Sequence, residues 1–147
     1  MAAISAPSAS ITALLRSGVT IAGYNSPQQT VIAGAAEDVR RVIEECEANG
    51  LRATPLPVSH AFHTEAIAAA EPLFREALSE QALQPIERSI VSTVSGTELS
   101  RDQNIPELLC HQLTTPVRFI EAITQAQSRV DLWIEVGPGQ EIGRAHV

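Results

Sequence analysis

The chain has 147 residues, 44% apolar and 18% charged, which is ordinary for a globular protein of one domain or two small subdomains. A net charge of −7 argues against a nucleic-acid surface, which needs clustered Lys and Arg, and 3% aromatics leave few rings for stacking bases. No stretch approaches the roughly 20 apolar residues of a membrane span, and no basic region followed by an apolar core marks a signal peptide. Cys46 and Cys110 fit no metal or redox spacing, so the expectation is two buried, reduced thiols in a cytoplasmic protein.

Residues 1–4 form a short apolar run, and 8–16 carry a helical pattern through Ile11, Leu14 and Leu15. Residues 19–24 read as a strand, Asn25-Ser26-Pro27 as a turn, and 30–33 as a second strand closed by Gly34. From 37 to 49, Val39, Val42, Ile43 and Cys46 fall at helical spacing, and Asn49-Gly50 reads as a stop. Residues 51–56 are again extended. The resulting βαββαβ order is the ferredoxin-like pattern, which by itself says nothing of function.

Beyond it, Ala66, Ala69, Ala70, Leu73, Phe74, Ala77 and Leu78 predict a long amphipathic helix, capped by Thr64 and kinked or restarted at Pro72. Residues 89–94 read as a strand before the turn Ser95-Gly96-Thr97. Residues 105–113 and 117–126 read as helices, separated by Thr114-Thr115-Pro116. Residues 132–136 read as a buried strand ending in Gly137-Pro138-Gly139. Strands alternating with helices predict parallel βαβ packing for this part.

The chemistry centres on Val58-Ser59-His60-Ala61-Phe62-His63. His63, beyond a strand and at the mouth of a helix, is the candidate general base, and it needs a serine or cysteine within reach. On spacing alone the two histidines are better read as ordinary loop residues. A metal site is a weaker reading, because no third ligand clusters nearby. No serine sits in a Gly-x-Ser-x-Gly elbow. Ser59 is expected to point away from His60, as neighbours on an extended segment do. Cys110 and His111 diverge by about 100° on a helix, which makes a dyad unfavourable. Gly137-Pro138-Gly139 lacks the glycine spacing and Lys-Ser/Thr ending of a phosphate loop.

Three segments resemble the acyltransferase domains of modular polyketide synthases and the malonyl-CoA:acyl-carrier-protein transacylases of fatty-acid synthesis. They are Ile21-Ala22-Gly23-Tyr24-Asn25-Ser26-Pro27 with Thr30-Val31-Ile32-Ala33-Gly34; Pro57-Val58-Ser59-His60-Ala61-Phe62-His63; and Gln112-Leu113-Thr114-Thr115-Pro116-Val117-Arg118-Phe119 through Trp133-Ile134-Glu135-Val136-Gly137-Pro138-Gly139. The resemblance implies an α/β fold in which residues 1–57 form the ferredoxin-like small subdomain. Residues 58–140 would then be the C-terminal part of a larger α/β-hydrolase-like acyltransferase lobe. Residues 141–147 are what a common sequencing-adapter sequence encodes in frame, and are expected to be an artefactual tail.

The activity implied is transfer of a malonyl-type acyl group from coenzyme A to an acyl carrier protein through a serine in Gly-His-Ser-x-Gly. That serine, its oxyanion-hole partner and the arginine that grips the malonyl carboxylate are expected before Met1, so the chain alone is expected to be inactive. By resemblance, His63 is the base and Gln112 supplies the backbone carbonyl that orients its ring. Phe62 blocks substituents on the acyl α-carbon. His60 belongs to the His-Ala-Phe-His form associated with malonyl selection, against Tyr-Ala-Ser-His for methylmalonyl. Asn25 lines the site near the thioester. Position 67, often Met in the family, is Ile67. The implied partners are the carrier protein, malonyl-CoA and neighbouring synthase domains, with no nucleic acid, membrane, metal or cofactor beyond the coenzyme A thioester. A different class stays open: a non-catalytic ferredoxin-like module that docks on a carrier protein or synthase neighbour. With the early part of the large lobe absent, the 89–94 and 132–136 faces would be uncovered, and the isolated chain is expected to be poorly soluble or partly molten.

Overall fold

A computed structural model describes residues 1–137 and 139–145, a mixed α/β arrangement around one small antiparallel sheet. The sheet contains β1 (Ala2–Ile4), β2 (Val19–Ser26), β3 (Gln29–Gly34) and β4 (Ala53–Pro55) in the order β2-β3-β1-β4. Every neighbouring pair is antiparallel, with Ala2 opposite both Ile32 and Pro55, and Val19 opposite Gly34. Short helix α1 (Ser8–Ile11), prolonged by a 3-10 turn over Thr12–Leu14, and helix α2 (Ala36–Ala48) complete this unit. The hairpin turn lies at residues 27–28, two positions beyond its expected start, because β2 continues through Ser26. Gly50, at φ +76°, ends α2 where expected.

The two faces of the sheet are covered differently. Ile4, Ile11, Val19, Ile32, Val39, Val42 and Cys46 fill one side, where both helices pack. The opposite face carries small side chains, Ala22, Val31 and Ala33, against Met1, Ala3, Leu56 and Ala61. Small residues there let the segment leading to His63 lie close to the strands.

After β4 the chain enters a 3-10 turn (Glu65–Ala70) and then α3 (Glu71–Ser79), with Pro72 in its first turn. The expected restart at Pro72 is therefore present, and the expected continuous helix is not: the six residues ahead of it take the tighter winding. Thr64 caps the turn, its hydroxyl accepting from the Ala66 amide and donating to the Ala61 carbonyl at 2.7 Å. Helices α4 (Ile105–Thr114) and α5 (Phe119–Gln127) come next. Asn104, whose side chain accepts from Glu107 N, caps α4.

The expected parallel strands at 89–94 and 132–136 are corrected. Residues 90–99 close on themselves, with Leu99 N donating to Ile90 O and Ser92 N to Thr97 O, around Gly96 at φ +73°. Only the single bridge Val91–Glu98 results. The turn at Ser95-Gly96-Thr97 folds this segment onto its own continuation rather than into a wider sheet. Residues 132–136 join no ladder among the described residues, and Leu132, Ile134 and Val136 stand 74%, 74% and 94% exposed. An apolar run becomes a buried strand only with neighbours to accept its backbone groups and cover both faces. Glu141–Ala145 forms a short helix, α6, whose first amides donate to the Glu135 carboxylate. Pro138 of the expected Gly137-Pro138-Gly139 turn, and His146-Val147 of the 141–147 tail, lie outside the described residues. Cys46 and Cys110 are free and buried, as expected, and burial pushes the Cys46 thiol up, with help from the charges of Glu45 and Glu47. Among the described residues no helix is long and apolar enough to cross a membrane.

Two measurements test this packing. A Cβ at Gly34 would stand 2.3 Å from the Gly18 carbonyl oxygen, so Gly34→Ala is expected to cost about 1–3 kcal/mol by thermal unfolding. Arg75 joins α3 to α4 by bonding Glu71 at 2.7 Å and Glu107 at 2.6 Å, and its guanidinium holds the Glu107 carboxyl below its ordinary value of 4.5. A carboxyl depressed in the folded state stabilises above the unfolded carboxylate range and loses that contribution as pH falls through the depressed value. In acid titration followed by circular dichroism, Glu107→Gln is expected to flatten this limb. The difference should shrink in high salt, because the pair is exposed.

Candidate active site

His63 is the one non-glycine residue with positive φ, +62°, among the described residues. A left-handed backbone at a residue with a Cβ is strained and persists only where the surroundings impose it. Here Thr64 anchors the following turn, and the imidazole Nδ1 sits 3.1 Å from the backbone carbonyl of Gln112 on α4. With Nδ1 protonated and donating to that carbonyl, Nε2 is left with a lone pair, the arrangement a general base requires. The contact uses the main chain of Gln112, so the amide side chain takes no part in it.

The Gln112 carbonyl is itself held in place by the extended segment between α4 and α5. Val117 lies along the edge of β2: its N–H donates to Ala22 O at 2.9 Å and its carbonyl accepts from Tyr24 N at 2.7 Å. Arg118 N donates to Thr93 O at 2.7 Å, and the Arg118 guanidinium lies 6.0 Å from the Tyr24 ring centroid. Nothing in the sequence signalled this parallel bridge, since a single extended residue between two helices has no periodicity to read.

Two cavities meet at His63. One, of about 330 Å³, lies between residues 18–20 and 34–35, at the start of β2 and the end of β3, and residues 63–66, Thr114 and Pro116. The other, of about 190 Å³, is lined by Phe62, Ile67, Phe74, Leu109 and Leu113 beside His63 and Gln112. Phe62 is 41% exposed. Its ring meets that of His60 edge-on, with centroids 5.9 Å apart. Asn25 lines neither cavity; its amide donates to the Gln29 side chain across the β2–β3 hairpin at 3.2 Å. The structure therefore brings His63, Gln112 and Phe62 together, places His60 against Phe62, and leaves Asn25 apart.

Ser59 corrects the expectation that it points away from His60. Residues 59–60 form a bend rather than an extended pair, and the Ser59 hydroxyl lies 2.8 Å from His60 Nδ1. Cys110 is buried within α4, apart from this site. No group of three or more His, Cys, Asp or Glu able to hold a metal ion occurs among the described residues.

The site thus joins a histidine tied to a main-chain carbonyl with an apolar cavity, beside a small antiparallel sheet and its flanking helices. Residues 1–146 match the acyl transferase domain family, and the chain belongs to it. It is 36% identical over 124 residues to the malonyl CoA-acyl carrier protein transacylase of Bacillus subtilis, covering 83% of this chain and 39% of that protein. The malonyl CoA-acyl carrier protein transacylase of Clostridium perfringens superposes with a TM-score of 0.88 at 30% identity, over 98% of this chain and 49% of that one. A phenolphthiocerol/phthiocerol polyketide synthase subunit of Mycobacterium tuberculosis is 30% identical over 88% of the chain and 9% of its own length. The chain thus spans less than half of each of these relatives.

The backbone strain at His63 is separable from its chemistry. His63→Gly is expected to be more stable than His63→Ala by about 1 kcal/mol, because only glycine adopts φ +62° freely. Thermal unfolding of the two variants checks this; equal stability would mean the backbone relaxes once the ring is gone.

Proposed function

We propose that this chain supplies the base half of an acyltransferase that moves a malonyl-type group from coenzyme A to an acyl carrier protein thiol. The observation that carries the reading is His63: strained at φ +62° and oriented through Nδ1 by the Gln112 carbonyl at 3.1 Å. The family match and the named activities of the Bacillus and Clostridium relatives support it.

In this reading His63 Nε2 takes the proton from a serine hydroxyl of a Gly-His-Ser-x-Gly elbow contributed by polypeptide outside these residues. The serine oxygen attacks the thioester carbonyl, the C–S bond breaks, and the proton passes from His63 to the departing coenzyme A thiolate. In the second half the carrier-protein thiol gives its proton to His63 and attacks the serine ester, and the serine oxygen recovers that proton as it leaves. The Gln112 carbonyl holds the tautomer through both halves, as the third member of a triad does. No cofactor is needed beyond the thioester itself. His60 and Phe62 are the residues we assign to the acyl specificity of this site.

The same reading divides the chain into a ferredoxin-like subdomain, residues 1–57, and part of an α/β-hydrolase-like lobe, residues 58–140. The β2-β3-β1-β4 order supports the first assignment. The exposed Leu132, Ile134 and Val136 support the second, as apolar surface that the rest of such a lobe would cover.

The test supplies the chain in trans with the serine-bearing half of the Bacillus subtilis relative and follows labelled malonyl transfer to a carrier protein. Transfer is expected only when both halves are present. His63→Ala is expected to reduce it by about a hundredfold to ten-thousandfold, the usual reach of general acid–base catalysis. Undiminished transfer by His63→Ala would remove His63 from the mechanism.

A further inference from the structure

We propose that Pro116 is a positioning residue for His63: it withholds the one backbone N–H that a longer α4 would aim at the Gln112 carbonyl, and so reserves that carbonyl for the imidazole. The role of His63 as a base rests on the acyltransferase reading; the competition for the carbonyl does not.

An α-helix leaves its last four carbonyls without donors, and a further turn would supply each from the residue four places on. For Gln112 that residue is Pro116, which has no N–H to give. Were the helix to continue, the pyrrolidine ring would also strike this same carbonyl, because proline clashes with the residue four before it. Its second constraint falls on Thr115, which takes the extended conformation a residue before proline favours, at φ −102° and ψ 139°. Helix α4 therefore ends at Thr114 with the Gln112 carbonyl open, and His63 Nδ1 occupies it at 3.1 Å. Pro116 and His63 line the same larger cavity.

The donors on either side of Pro116 are directed elsewhere. The Thr115 hydroxyl donates to the His111 carbonyl at 2.7 Å, one residue short of Gln112. Val117 N donates to Ala22 O at 2.9 Å and Arg118 N to Thr93 O at 2.7 Å. A donor at 116 would hold the advantage over the imidazole. It would extend a ladder already formed, at the cost of ordering one residue. His63 comes from 49 residues away and keeps its own backbone at a strained φ of +62°. The imidazole contact survives because its local rival has been removed.

The test reads the ring nitrogens of His63 by NMR in the full chain, with the imidazoles neutral. His63→Ala identifies its lines among those of the four histidines. Two replacements are compared in chains joined by ligation at Cys110: Pro116→Ala, which restores the N–H, and Pro116→N-methylalanine, which loses the ring but still has no N–H. The parent chain is expected to hold the Nδ1–H tautomer. Pro116→Ala is expected to move the tautomer ratio about tenfold toward Nε2–H, as one net hydrogen bond allows, and to show a slowly exchanging amide at position 116. Pro116→N-methylalanine should keep the parent ratio. The proposal falls if all three chains share one ratio, or if the N-methyl chain follows the alanine chain. It falls equally if the amide at 116 is protected while His63 is unchanged, since the two donors would then share the carbonyl's two lone pairs. Should neither variant fold, the ring and not the missing donor would be what position 116 requires, and the proposal would fall again. No substrate enters these readings, so they and the malonyl-transfer assay can fail separately.

Discussion

The site depends on one backbone bridge. Val117, between two helices, gives its N–H to Ala22 and receives that of Tyr24, so the edge of β2 and the end of α4 are locked in register. Five residues earlier in the chain lies Gln112, whose carbonyl orients His63. A shift of one residue at Val117 would move that carbonyl by several ångströms, beyond the reach of the imidazole. The small face of the sheet contributes to the same end, since Ala22, Val31 and Ala33 admit the segment before His63 at close range.

His63 is held by main-chain geometry more than by neighbouring side chains. Its orienting acceptor is a peptide carbonyl, and its backbone is held in a conformation that a β-carbon disfavours. Both are properties of where the chain runs. A carbonyl acceptor also carries no net charge, so it can fix a tautomer without making the ring a permanently paired cation.

The sequence made the first four strands and α2 legible because each carries a short, clean period bounded by glycine, proline or asparagine. Helical spacing alone assigns Val39, Val42 and Cys46 to one face, and all three are buried there. Thr64 and Pro72 marked their boundaries for the same local reason. Residues 89–94 and 132–136 misled because β-branched composition shows that a segment can be a strand but not what it pairs with; one folds back through Gly96 and the other has no ladder partner among the described residues. The His63–Gln112 pairing came from resemblance, since 49 residues separate them and no local pattern spans that distance. The Ser59–His60 contact departs from simple alternation because the chain bends at these two residues.

The edges of the sheet bear on how molecules of this protein meet one another. On one side β2 is capped by Val117, and its two irregularities in register break the flat ladder a second chain would need. On the other side β4 is three residues long and ends in Pro55, which has no N–H to offer. Edge-to-edge growth of this sheet is thereby discouraged at both ends. Association between copies in concentrated solution would start instead from Leu132, Ile134 and Val136, whose apolar side chains are exposed.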